Sequence, residues 1–336
     1  MSNKTSRALR AFLFILPFLL IVVSLGIGRY RIPIQDIGKT LIHAVFPSMH
    51  ADIPSAYQDI LFRIRVPRLL LAFAVGAALS VSGAALQAMF KNPLVNEYIL
   101  GISFGSAFGA ALSLVFLGKS FPPQAGAFVF ALAAVLVVLL ISGRSETHTV
   151  SLLLTGVIVS AFFQAVLSLV EFFANPYALQ SLFFWLMGSL SLATWDDLKI
   201  SLPIMALGLT VLFAMRWRLN VLSLGDEEAK TMGINVRREK LLVILMTSLI
   251  TAAATAVVGV IGWIGLIVPH LVRMMFGADN RKVIPLSAVV GASVMILADD
   301  VTRMIASFEI PIGILTSIIG IPFFIILLKK SRKVWL

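Results

Sequence analysis

The sequence predicts an all-α, polytopic membrane protein, and three observations carry that prediction. Of 336 residues, 59% are hydrophobic and only 13% are charged. Mean hydropathy is +1.00. The uncharged apolar runs have the length of helices that cross a bilayer, whereas strands of a membrane barrel are about half as long and alternate in polarity. A soluble domain carries about a quarter charged residues, so this chain lacks the polar surface to cover a water-soluble particle of its size.

The apolar runs are 11–28, 69–90, 98–118, 120–143, 149–170, 200–215, 241–272, 283–298 and 310–328. A spanning helix needs about 20 residues to cross a hydrocarbon core of about 30 Å. Run 241–272 is too long for one crossing, and Gly259 and Gly262 flank its middle, so two helices with a turn near 258–262 are expected. Segment 172–195 contains Asn175-Pro176, Gln180 and Gly188-Ser189. That polarity predicts a loop and a short helix near the outer interface, leaving about ten spans in one domain over 1–336. With the N-terminus inside, the inner segments hold most of the 27 basic residues, as the positive-inside tendency requires. Both termini are then cytoplasmic, in a bacterial inner membrane. Segment 1–28 has a basic start and an apolar core, but Pro17 interrupts it and no clear cleavage site follows, so it reads as a retained first span. The outer loop 29–66 leads into the second span.

Composition and motif also exclude chemistry. There is no cysteine, so neither disulfides nor thiolate metal sites exist. The net charge of +11 reports basic loops at the inner face, not nucleic-acid binding. Gly118-Lys119-Ser120 looks like the end of a phosphate-binding loop, but Ser113 stands where that pattern requires Gly. No nucleotide, cofactor or metal site is expected in the chain itself, and no catalytic residue.

Small and polar residues recur along several spans. Gly101, Gly105 and Gly109 form one ridge, and Gly76, Ser80, Gly83 and Gln87 form another. Gly156, Ser160, Gln164, Ser168 and Glu171 form a third. Such stripes serve close helix packing in lipid or line a polar path, and the third is the better candidate for a lining because Gln164 and Glu171 are costly against lipid. Asp299-Asp300 is the densest acidic spot near a membrane boundary. It reads as a polar cap or as a metal or substrate contact.

Two further clusters suggest function. The inner loop 216–240 carries Gly225-Asp226-Glu227-Glu228-Ala229-Lys230-Thr231-Met232-Gly233, with Leu222, Ala229 and Met232 at helical spacing. Two glycines thus bracket a short amphipathic helix suited to a groove on a cytosolic partner, or simply solvated. Arg63-Ile64-Arg65-Val66-Pro67-Arg68 lies outside, against the positive-inside tendency, with Pro67 fit for a helix's first turn. Arginine pairs carboxylates bidentately, so the cluster reads either as internal ion pairing or as a docking site for an acidic partner.

The stretches Arg65-Val-Pro-Arg68, Val75 to Gly83, Gln87 to Leu94, Leu100-Gly-Ile-Ser, Leu222-Ser-Leu-Gly225 with Ala229 and Gly233, Gly262 to Arg273, Ala298-Asp299 with Arg303, and Pro311-Ile-Gly313 occur in this order. In that joint order the chain, over about residues 10–330, resembles the FecCD-type permease subunits of type II ABC importers, the family of vitamin B12, iron–siderophore and haem uptake. The resemblance implies ten spans and a homodimer with the pathway between two copies. It also implies two ATPase subunits beneath, which bind ATP and Mg, and an extracytoplasmic substrate-binding protein above. By the same resemblance, loop 219–237 couples to the ATPases, through Leu224, Gly225, Glu228, Ala229, Met232 and Gly233. Arg65, Arg68 and Arg303 match arginines that meet acids of the binding protein. Thr147, His148, Thr149, Val150 and Ser151 match the inner gate, with His148 and Val150 departing from the family's Ser/Thr. Gly156, Ser160, Gln164 and Ser168 are candidates for the lining. Iron–siderophore is the first expectation for cargo, with haem, cobalamin and molybdate as alternatives. The rival classes are an ion-coupled secondary transporter, which would need an intramembrane ion site at Glu171 or Asp299-Asp300, and a non-transporting receptor.

Overall fold

The computed structural model describes residues 3–28, 30–46, 54–118, 121–143, 149–305 and 308–331. All regular structure in these residues is helical. Among the described residues, six helices are long and apolar enough to cross a membrane: Ser55–Phe90, Pro123–Ser142, Thr149–Phe173, Trp195–Ala214, Val236–Val258 and Asn280–Ile305. Four shorter apolar helices, Ala8–Ser24, Ile102–Leu117, Ile264–Phe276 and Ile312–Ile326, bring the set to the ten that the apolar runs predict.

In chain order the helices are α1 (Asn3–Ser24), α2 (Ile34–Val45), α3 (Ser55–Asp59), α4 (Val66–Phe90), α5 (Ile102–Leu112), α6 (Pro123–Ser142), α7 (Thr149–Phe173) and α8 (Pro176–Leu186). They continue as α9 (Trp195–Ala214), α10 (Arg216–Leu224), α11 (Asp226–Thr231), α12 (Val236–Val258), α13 (Ile264–Phe276), α14 (Asn280–Ile305) and α15 (Ile312–Ser331). Two π-helical segments, Ile60–Arg65 and Ser113–Leu117, join α3 to α4 and extend α5. The long run divides where the glycines suggested, with α12 ending at Val258 and α13 starting at Ile264. Segment 172–195 holds α8, whose 11 residues are too few to cross a bilayer.

Helix α4 is the hub. Nearly every residue in it is buried, under α14, α12, α13 and α9. A helix that is apolar all round needs such a surround. Small residues let the neighbours approach. A methyl group added at Gly76 would collide with the Gly291 carbonyl of α14, and one at Gly83 with the Gly265 carbonyl of α13. The Gly76–Gln87 stripe is therefore a packing surface shared between two partners, with Gln87 Nε2 donating to the Leu266 carbonyl at 3.3 Å. Likewise Gly105 and Gly109 meet the backbone of α6. Gly83→Ala should destabilise the folded chain by about 1–3 kcal/mol, the usual cost of overpacking a filled contact. Thermal unfolding in detergent reads this, and an unchanged midpoint would show that α4 and α13 do not need this contact.

Three helix ends are tied by backbone alone. Ser189 N–H donates to the Val258 carbonyl at 2.8 Å, Ile312 N–H to Gly188 at 2.9 Å, and Gly313 N–H to Met187 at 3.0 Å. Chain breaks after α8, after α12 and before α15 thus satisfy one another, as irregular backbone within a membrane protein must.

Candidate functional site: a glycine-bracketed helix and a buried charge cluster

At one end of the bundle, α10 leaves α9 after Met215, and Gly225 ends it with a φ of +150°. A short helix, α11, follows, and Gly233 closes it at φ +78°. The left-handed turns that the glycines permit set α11 apart from both neighbours. The bracketed helix read from sequence is present. Its Ala229 is fully buried, whereas Leu224 and Met232 are 60% and 50% exposed. The loop is braced rigidly against the bundle. Lys240 Nζ meets Asp226 at 2.7 Å and Arg218 meets Glu239 at 2.8 Å. Asn220 donates to Asp279 at 2.7 Å and accepts from the Asn280 N–H at 2.6 Å. The Asn220 amide holds the Asp279 carboxyl below the usual carboxylate range. Glu228 and Gly233 sit on the same exposed rim. Contacts thus tie α11 to α12 through Lys240, and tie α10 to the α13–α14 turn through Asn220.

At the other end, α1, α4 and α14 converge on a buried cluster of charge. Arg68 holds Asp299 at 2.8 Å and Glu309 at 3.0 Å. Arg303 reaches Asp299 at 3.1 Å and pairs Asp300. Its Nη1 also donates to the Ile27 carbonyl at 2.8 Å. Ser24 donates to Asp300. Arg65, aimed inward by the π-helical segment, donates to the carbonyls of Leu25 and Tyr30. Arg65, Arg68 and Arg303 are only 4%, 5% and 8% exposed. The three guanidinium groups meet internal acceptors within this chain. The physical reason is that Asp299 and Asp300 are themselves buried and need cations. The polar-cap reading of Asp299-Asp300 is thus the one the geometry favours, and no group of three His, Asp or Glu placed to hold a metal occurs among the described residues.

The α7 stripe divides. Gly156 is buried against the Ile99 carbonyl, and Ser160 donates back to Gly156 at 2.7 Å. Gln164 and Ser168 are exposed. Gly156 thus packs closely, Ser160 is half-buried, and Gln164 and Ser168 stand on the uncovered face of α7. A cysteine at position 164 should react with a water-soluble thiol reagent in the assembled transporter, and one at position 156 should stay inert. Inertness at 164 would assign that face to packing or lipid. Of the gate residues, Thr147 and His148 lie outside the described residues, while Thr149, Val150 and Ser151 form the first turn of α7.

Sequence reasoning missed Glu97. The connection after α4 turns back among the helices, so Glu97 is fully buried beside Gly265. Glu97 falls in the connection between the runs 69–90 and 98–118, where a carboxylate gives no sign of burial.

The six long apolar helices and the four shorter ones define a helical, multi-pass membrane protein. Comparison with known proteins makes this specific. Residues 15–330 match the FecCD transport family. The chain is 38% identical to the molybdate import system permease protein MolB of Haemophilus influenzae, over 93% of this chain and 92% of that one. It is 37% identical to a probable iron chelatin transport system permease protein of Helicobacter pylori, over 94% and 96%. A solved ABC transporter assigned to the metal-chelate type, in an inward-facing conformation, superposes with a TM-score of 0.85 at 36% identity, over 98% of this chain and 100% of that one. The chain belongs to the FecCD family of ABC importer permeases. It is a multi-pass inner-membrane transport subunit and not an enzyme.

Proposed function

We propose that two copies of this chain enclose the pathway, with two ATPase subunits below, an extracytoplasmic binding protein above and lipid around the exposed apolar faces. ATP and Mg belong to the ATPases. Both termini face the cytoplasm of a bacterial cell in this reading. The observation that carries it is the braced loop α10–α11, in which exposed Leu224 and Met232 flank α11, with α11 held by Lys240–Asp226 and α10 by Arg218–Glu239. A rigid element with an apolar tip suits a groove on a moving partner. Deleting 225–233 should abolish ATP-driven uptake while the bundle still folds. A fully coupled complex after that deletion would remove the coupling assignment.

The uncovered face of α7, with Gln164 and Ser168, fits the pathway wall, and Thr147 to Ser151 would form the gate at its inner end. Docking from outside falls around the charge cluster, where Arg31 and Arg63 are exposed. Arg65, Arg68 and Arg303 form its rigid floor. The cargo is read as an iron chelate, in line with the chelatin relative and the metal-chelate transporter. Molybdate is the second reading, favoured by the MolB relative. Uptake of labelled ferric siderophore against labelled molybdate, in proteoliposomes holding the full complex, separates the two.

A further inference from the structure

Helix α14 carries an open apolar stripe. Leu297, Val301 and Met304 stand at i, i+4 and i+7 and so share a face. Leu297 and Val301, with Trp263 and Ile267 of α13 and Ile319 of α15, line a half-open groove of about 300 Å³ whose wall is apolar except for Thr316. Met304 borders a second space, a pocket of about 690 Å³ at the level where α1 and α14 end. The two spaces therefore follow one another along α14, one helical turn apart. From Val294 in the groove to Met304 the helix rises about 15 Å, half the hydrocarbon core and the reach of one acyl chain. The rims are apolar and uncovered: Leu297, Ile319 and Met304 are exposed, and Ile34 is 84% exposed.

The pocket is polar where the groove is not. Buried Arg303 and exposed Arg31 line it, with the backbone of Gly26 to Gly28 as a wall. That wall is pinned, since Arg65 takes the carbonyls of Leu25 and Tyr30 and Arg303 takes that of Ile27. Arg31 has no acidic partner among the described residues. The charges at this end do not balance. Arg31, Arg65, Arg68 and Arg303 are four cations, against the three carboxylates Asp299, Asp300 and Glu309. The exposed pairs Arg63–Asp59 and Lys39–Asp36 are neutral in themselves. One positive charge is thus left over beside buried groups, where an uncompensated charge is costly. An anion in the pocket balances it, and guanidinium groups bind phosphate oxygens well. An acidic side chain would satisfy the pocket alone, whereas a phospholipid satisfies the pocket and the groove together.

We propose that this face of α14 is a binding site for an anionic phospholipid, with the headgroup phosphate between Arg31 and Arg303 and one acyl chain over Met304, Val301 and Leu297 in the groove. A lipid of net negative charge is selected, because the quaternary ammonium of a phosphatidylcholine would bring a further cation beside the two arginines. The inference needs the membrane location of the chain and is independent of cargo and of the partner subunits. It leaves Arg63, and not Arg31, on the surface open to a docking protein.

Lipid retention and thermal unfolding test it on the full chain in detergent, with dioleoylphosphatidylglycerol or dioleoylphosphatidylcholine added and bound lipid counted by native mass spectrometry. Wild type should retain phosphatidylglycerol in preference to phosphatidylcholine, and only the former should raise the melting temperature. Arg31→Ala should need about five-fold more phosphatidylglycerol for the same retention, the factor that one basic residue contributes at an anionic lipid surface. Its melting temperature in phosphatidylcholine should stay at the wild-type value, since Arg31 is exposed. Leu297→Trp, which fills the open side of the groove, should weaken retention to a similar degree with both arginines in place. Glycerol 3-phosphate, which has the phosphate without the chains, should neither bind nor stabilise. A stabilisation by glycerol 3-phosphate equal to that by phosphatidylglycerol would overturn the lipid assignment and leave a bare anion pocket. Unchanged retention in Arg31→Ala would overturn it too and leave Arg31 to an acidic protein partner. A Leu297→Trp chain that keeps its lipid but changes its oligomeric state in gel filtration would give the groove to a second copy of the chain, against the proposal.

Discussion

Arg68→Ala should unfold much of the outer half of the bundle. Its guanidinium group bridges Asp299, which is 0% exposed, and Glu309. Removing one partner of a buried pair leaves the other charged or forces a proton onto it, at a cost of about 3–5 kcal/mol. That is a large part of a domain's whole stability. Arg68→Glu adds repulsion and should be worse, so uptake fails through loss of folded protein before any question of docking arises. Asp299→Asn on the Arg68→Ala background should recover part of the loss, since the buried negative charge then left to Arg303 alone is gone. Arg63→Ala is the contrast: its pair with Asp59 is 80% exposed on the arginine side, and exposed pairs contribute about 0–1 kcal/mol. Fluorescence-detected gel filtration after heating measures all four. A fully stable Arg68→Ala chain that merely loses uptake would restore the arginine to a docking role and remove the structural one.

The second large effect is expected at the coupling loop. Lys240 is 3% exposed on its side chain and holds Asp226, the first residue of α11. Lys240→Glu sets two carboxylates against each other there and should free α11 from α12. ATP-driven uptake should fall at least about ten-fold, the effect of losing about 1.4 kcal/mol of coupling free energy, while ATP hydrolysis by the assembled complex continues. The double variant Asp226→Lys with Lys240→Glu restores the pair in reverse and should restore uptake. Equal loss in single and double variants would show that the ion pair does not carry the motion. Equal loss of uptake and hydrolysis would point to failed assembly with the ATPase.

The helical class and the apolar runs were legible in the sequence itself, whereas α2 and α3, in the segment 29–66 read as a loop, were not. Run length is a local property, and in lipid a run of that length has one stable conformation because backbone groups find no other partners. The break after Val258 and the short helix between Gly225 and Gly233 were legible for the same reason, since glycine marks places where the chain turns. Tertiary structure decided which polar groups meet. Arg68 and Asp299 are 231 residues apart, and composition places both at outer helix ends without saying that they pair. That pairing turns a cluster resembling a docking site into a buried brace. The depth of Glu97 was hidden similarly, because only the fold shows the connection after α4 turning back beside Gly265. Sequence fixes which segments must leave water, whereas the partner that each buried charge finds depends on how the helices are arranged around α4.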